Sequence, residues 1–169
     1  MSHGTYETPD GRPALRFERT YPHPPAAVWS AVTEPDELAH WFPATVDVDL
    51  RPGGAMRFVF PEGEAPAGEG RVLELEPERR FAFTWGEDEL RFELFEHDDG
   101  CRLVFTHFVD SADRAARDLA GWHVCLDRMA HRLGGGDPTA PTDELTTEWR
   151  ELYDAYRERG VPSGAPLPD

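Results

Sequence analysis

The sequence predicts an α+β domain in which a curved antiparallel sheet of about seven strands wraps one long C-terminal helix. Three observations lead there. Residues 46–107 hold successive runs of apolar residues at period two, divided by short Gly-, Pro- and Asp-rich turns. Residues 113–133 then change to a helical period, with Ala115, Leu119, Trp122, Leu126, Met129 and Leu133 on one stripe. Between a first strand and the remaining strands, PHPPAAVWSAVTEPDELAHWF at 22–42 reads as two short proline-led helices.

Taken in order, residues 1–13 are polar and read as a flexible N-terminus. Leu15 and Phe17 alternate with Arg16 and Glu18, so 14–21 is the first strand. The helix over about 25–32 carries Val28, Trp29 and Val32. The next is capped by Thr33, has acids near its positive end, and finishes at Trp41-Phe42 before Pro43. Val46, Val48 and Leu50 form a strand. Arg51-Pro52-Gly53-Gly54 is a turn rather than a phosphate loop, and Met56, Phe58 and Phe60 form the strand after it. PEGEAPAGE at 61–69 is a loop. Residues 70–76 form a strand of ambiguous facing, because Val72, Leu73 and Leu75 do not alternate cleanly. Phe81, Phe83 and Trp85 share one face of a strand, Leu90, Phe92 and Leu94 of another, and Asp98-Asp99-Gly100 marks a hairpin. Cys101, Leu103, Phe105 and His107 face one way in the last strand. After the long helix and Gly134-Gly135-Gly136, residues 135–160 are a linker and an appended amphipathic helix with Leu145, Trp149, Leu152 and Tyr156 on one side. That side must dock somewhere. On its own domain it leaves a monomer; the alternative is a partner or a second copy, the latter making a homodimer. Residues 161–169 read as a disordered tail.

Composition excludes several function classes. Thirty-three acids against 17 bases give a formal charge of −16. That sign opposes nucleic acid, whose phosphates need Lys and Arg, and opposes an anionic membrane surface. No apolar run approaches the roughly 18 residues of a membrane span, and MSHGTYETPD lacks the features of a secretory signal, so a cytoplasmic location is expected. Two cysteines, Cys101 and Cys125, are too few for a disulfide scaffold and read as reduced, partly buried thiols.

Five segments carry a family resemblance: PPAAVWSAVTEPDELAHWF, VDLRPGGAMRF, GRVLELEPERRFAFTW, LVFTHFVD and GWHVCLDRMAHRL. Together they resemble the bacterial AHSA1-like group, named after the activator of Hsp90 ATPase, within the START and Bet v 1-like (SRPBCC) superfamily. The resemblance covers residues 14–134 and implies a helix-grip fold with a ligand cleft between sheet and long helix. It implies no cofactor. Relatives in the wider superfamily include cyclases, aromatases and lipid carriers. The co-chaperone behind the name has a further N-terminal domain, and nothing in this sequence looks like it.

The expected cavity set is Trp41, Phe42, Phe58, Phe60, Phe83, Trp85, Phe92, Phe105, His107, Trp122, Leu126 and Met129, with Trp41 and Phe42 at its mouth. These side chains either line a pocket for a small apolar or aromatic molecule or pack together as a filled core. His107, inward on an apolar strand, is the one weak candidate for acid–base chemistry; a core-edge histidine bonded to its surroundings is the alternative. His123, Asp127 and His131 recur at i, i+4, i+8 but read as a solvated face with an ordinary ion pair. No HExxH or CxxC motif points to a metal. Glu87, Asp88 and Glu89 crowd a turn and read as solvated. Ligand binding without catalysis is thus the leading expectation. A cyclase-like enzyme using His107 and a protein-interaction module are the alternatives.

Overall fold

The computed structural model describes residues 3–60, 68–135 and 142–167, with 142–146 as backbone only. Eight strands form one sheet: β1 (Thr5–Glu7), β2 (Ala14–Tyr21), β3 (Thr45–Val48), β4 (Ala55–Val59), β5 (Gly68–Glu76), β6 (Arg80–Trp85), β7 (Asp88–His97) and β8 (Gly100–Phe108). The helices are α1 (Pro25–Thr33), α2 (Pro35–Leu38), α3 (Ala115–Leu133) and α4 (Thr142–Glu158). The strand order is β1-β2-β8-β7-β6-β5-β4-β3, and neighbours are antiparallel throughout.

Alternation decides which side chains are enclosed. Along β8, Cys101, Leu103, Phe105 and His107 are buried, while Arg102 and Thr106 are less so. Across the β2–β8 ladder Phe17 lies opposite Phe105 and Leu15 opposite His107, so both strands bury the same face. Over that face lies α3, burying Leu119, Trp122, Leu126 and Met129 as its helical spacing requires.

The eighth strand is β1, in the stretch read from sequence as flexible. It is an edge strand of three residues with a single core-facing residue, Tyr6, so period-two patterning has no repeat to register there. The tail is likewise placed where disorder is expected: Ala116 N donates to Pro162 O at 2.9 Å, and Ala165 N to Asp113 O at 3.2 Å. The second short helix covers only Pro35–Leu38, so Trp41 and Phe42 stand in the turns beyond it. Thr33 does not cap it; its hydroxyl donates back to Trp29 O within α1 at 2.7 Å.

The irregular pattern of 70–76 has a plain cause. The β5–β6 register shifts between Val72 and Glu74, a bulge that buries Val72 and turns Leu73 outward. Gly53-Gly54 is a turn stitched to β5, with Gly53 N donating to Val72 O and Val72 N to Gly54 O, each at 2.9 Å. At Gly53 φ is +79°, and a Cβ on Gly54 would meet Asp49 O at 1.8 Å, so both positions need glycine.

The appended helix α4 docks on its own domain. Tyr156 is fully buried, and Trp149, Leu152 and Tyr153 pack against the core. Leu145 lies outside the residues whose side chains are described. The hydroxyl of Tyr156 accepts from Gly4 N at 2.8 Å and lies 2.9 Å from His123 Nδ1, joining the N-terminal segment, α3 and α4. His123 is therefore buried rather than solvated, at 5% exposure. Its Nε2 lies 3.6 Å from Asp127, which in turn accepts from the buried Arg19 at 2.7 Å.

Candidate functional site

The interior under α3 is packed with rings. Phe92 and Phe105 lie 4.8 Å apart, Phe105 and Trp122 4.8 Å, and Phe81 and Phe83 5.0 Å. Trp41 is anchored by its indole N–H, which donates to Ala31 O at 2.8 Å. Leu126 and Met129 are fully buried beneath the helix. Trp41, Phe42, Phe58, Phe83, Phe92, Phe105, Leu126 and Met129 thus belong to a packed core, and none of them borders the cleft described next.

That cleft lies at one end of the core, where β6, β7 and β8 meet α3 and α4. It holds about 400 Å³. Four of the expected residues border it: Phe60, Trp85, His107 and Trp122. The others at its wall lie outside the expected cavity set: Pro43 after α2, Asp88 at the start of β7, Arg114 before α3, Arg117, Asp118, Gly121 and Cys125 on α3, and Trp149 on α4.

Its apolar side is the outer end of a ring stack. Phe58 and Trp85 stack at 4.5 Å and 14°, and Phe60 stacks on Trp85 at 5.7 Å and 23°. The stack begins in the core and ends in the cleft.

The polar side is a chain of hydrogen bonds. Trp122 Nε1 donates to His107 Nδ1 at 2.9 Å. That nitrogen must then be bare, so the ring proton sits on Nε2, which donates to Asp88 Oδ2 at 2.8 Å. Arg114 donates to Asp88 at 2.9 Å, to Asp110 at 2.7 Å and to Asp118 at 3.0 Å. Asp88 is therefore not a solvated turn residue; its side chain is 13% exposed. Burial pushes its carboxyl up, but the hydrogen bonds from His107 and Arg114 outweigh that and hold it below its ordinary value.

These bonds limit the chemistry. His107 can accept a proton at Nδ1 only by displacing the Trp122 N–H, so it is a fixed post in the wall rather than a poised base. Cys125 is a free thiol, and burial pushes it up to about 12, which keeps it protonated and a poor nucleophile. Among the described residues, no group of His, Cys, Asp and Glu could hold a metal, and no helix is long and apolar enough to cross a membrane.

The sequence signal for the missed residues was weak. Asp88 and Arg114 sit beside turns, where charged residues are usually solvated. Arg114 has local partners in Asp110 and Asp118, but only the fold brings Asp88 to His107 and Arg114.

A family model described as "Activator of Hsp90 ATPase homolog 1-like protein" matches residues 22–134. The chain belongs to this family. Both β1 and α4 fall outside the matched residues. Among solved structures, the chain is similar to CalU16 from Micromonospora echinospora at 28% identity and TM-score 0.72, covering 92% of this chain and 94% of that one. It is similar to EF2215 from Enterococcus faecalis, a conserved protein of unknown function, at 23% identity and TM-score 0.72, covering 92% and 89%. It is also similar to DynU16, from the dynemicin biosynthetic locus, at 24% identity and TM-score 0.65, covering 75% and 49%. None of the curated proteins compared with the chain matches it. The helix-grip architecture expected from the sequence is the one this AHSA1-like chain has, with eight strands in place of about seven.

Proposed function

We propose that this AHSA1-like protein binds a small, largely aromatic molecule in the cleft between the ends of β6, β7 and β8, α3 and α4, without catalysing its conversion. One observation carries the reading: a cleft of about 400 Å³ has a stacked aromatic wall on one side and a fully bonded His107–Asp88–Arg114 chain on the other. Ligand sites combine these parts, since apolar walls supply burial and a few fixed polar groups supply orientation. The volume falls in the usual range for small-molecule sites, roughly 300–1,000 Å³. Against the cyclase-like alternative, both nitrogens of His107 are already engaged.

Five tryptophans make the test direct. Trp85, Trp122 and Trp149 border the cleft, whereas Trp29 and Trp41 lie elsewhere. Aromatic compounds added to 15N-labelled protein should shift the indole N–H signals of the first three and leave those of Trp29 and Trp41 in place. A panel of mono- and bicyclic aromatics that moves none of the three at millimolar concentration ends this reading. Native mass spectrometry of protein from its own host should show the retained molecule.

A further inference from the structure

We propose that the cleft selects flat, uncharged aromatic molecules and that Trp149 of α4 is the residue that sets this preference; the inference rests on the ligand-binding reading above. Two independent features carry it.

The first is charge balance. The two carboxylates at the cleft wall, Asp88 and Asp118, are paired with its two guanidiniums. Arg114 donates to both, and Arg117 Nε donates to Asp118 at 2.9 Å. Both ring nitrogens of His107 are engaged, Nδ1 by Trp122 and Nε2 by Asp88. An anionic ligand would find no spare cation and would have to break one of these part-buried pairs. A cationic ligand would meet carboxylates whose partners are already in place. A neutral ligand disturbs none of them, so desolvation disfavours charge here without any steric rejection.

The second is the placement of Trp149. It lies outside the family-matched residues, on a helix whose docking the domain itself fixes. Its ring is parallel to that of Tyr153, at 5.3 Å and 9°, which presets the indole plane. Beneath it α3 carries Gly121, where an added Cβ would stand 3.8 Å from Trp149 Nε1. The indole Nε1 therefore lies close over bare helix backbone, and both residues border the cleft. Among the described residues, its N–H makes no hydrogen bond, so it remains a donor for a ligand oxygen. The bonds that fix α4 and the chain after it gather beyond Trp149: Tyr156 with Gly4 and His123, and Arg117 Nη1 with Pro166 O at 3.0 Å. Trp149 thus adds an aromatic wall residue from the added helix to the same cleft that Trp85 and Phe60 border. A long flexible chain gains little from such walls, whereas a flat ring extends the stack.

The test compares 2-naphthol, uncharged at neutral pH, with the anion 2-naphthoate and with an aliphatic alcohol of similar size. Binding to the full chain is followed by the indole signals of Trp85 and Trp122. Expected is 2-naphthol binding at least about ten-fold tighter than either competitor, with Trp149→Ala and Trp149→Leu each weakening 2-naphthol about ten-fold while the competitors change little. Trp149→Leu keeps an apolar side chain under α4, so it serves if the alanine variant unfolds, and the preference of the wild-type chain needs no variant. Equal affinity for 2-naphthol and 2-naphthoate, or an undiminished affinity in both variants, overturns the inference while leaving the ligand-binding reading intact. Silence of Trp85 and Trp122 toward every compound removes both.

Discussion

At the scale of single residues, the polar end of the cleft is decided by which atom holds a proton. Because Trp122 donates to Nδ1 of His107, the ring must be the Nε2–H tautomer. Nitrogen NMR of the imidazole should show Nδ1 unprotonated and Nε2 protonated at neutral pH. The opposite tautomer would mean that Trp122 does not donate to Nδ1 and that the chain of bonds runs another way. Asp88 takes the proton side of that contact and also the Arg114 guanidinium. Replacing it with Asn should lower stability to urea by about 2 kcal/mol at neutral pH, since charge-assisted bonds to two part-buried donors are weakened together. The sign with pH follows from its lowered carboxyl. The native state binds fewer protons than the unfolded chain, so the stabilisation is complete above the unfolded value of 3.8 and is lost as pH falls through the lower native value. Asp88→Asn should therefore flatten the acid limb of the stability curve, and an unchanged limb would return Asp88 to the solvated role its turn suggested. Nothing in the sequence separates Asp88 from Glu87 beside it. The distinction arises because Trp85 pairs with Asp88 across the hairpin and His107 lies on the next strand but one residue from its end, a relation that only the ladder creates.

At the scale of elements, alternation made the strands from β2 to β8 other than the bulged β5 readable, and helical period made α3 readable, because each buries one face of apolar side chains and such faces leave a period. Elements that bury only isolated apolar residues, such as Tyr6 in β1 and Val161 and Ala165 in the tail, left none. β1 is joined through backbone pairing and through Gly4, whose amide reaches Tyr156 on α4, and the tail through backbone bonds to the start of α3. His123 shows the same blindness: it sits at the edge of the α3 stripe, and α4 together with His3 and Phe17 makes it interior. Tyr156→Phe should cost about 1–2 kcal/mol, by leaving a buried imidazole nitrogen and a buried amide without their partner. Hydrogen exchange at the Gly4 amide should speed up in the same variant, and an unaltered rate would separate β1 from α4. His123 adds a pH dependence. Burial pushes its pKa down to about 4, helped by Arg19 and His3 and opposed by Asp127. The unfolded chain, at 6.5, binds the proton first, so stability should fall as pH drops from about 6.5 toward about 4. In His123→Gln that slope should shrink, as read by thermal melts at a series of pH values; an equal slope in both proteins would place the titration elsewhere.

At the scale of the whole molecule, the question is what keeps this sheet from pairing with another. An open sheet has two edges, and both are short here: β1 has three residues and β3 has four. Asp47 lies within β3 and Asp49 just beyond it, and charge at an edge discourages a second strand. The formal charge of −16 adds repulsion between copies. The large exposed apolar residues, among them Leu50, Leu73 and Phe95, are scattered over different strands and turns rather than gathered on one helix face. The remaining candidate for self-association was the stripe of α4, and it is spent on the domain itself, with Tyr156 fully buried. The full chain should therefore sediment as a monomer of 19.1 kDa. A chain ending at Gly134 should behave differently. It would uncover the α3 face around Gly121 and His123, leave the Gly4 amide without Tyr156, and open the cleft on the Trp149 side. Such a face calls for cover, so the shortened chain should melt at a lower temperature and form dimers or larger species that grow with concentration. Sedimentation velocity on both proteins decides the matter. A shortened chain that stays monomeric and melts where the full chain does would show that α4 merely rests on the domain, whereas a full-length dimer would mean that the short, charged edges do not protect the sheet.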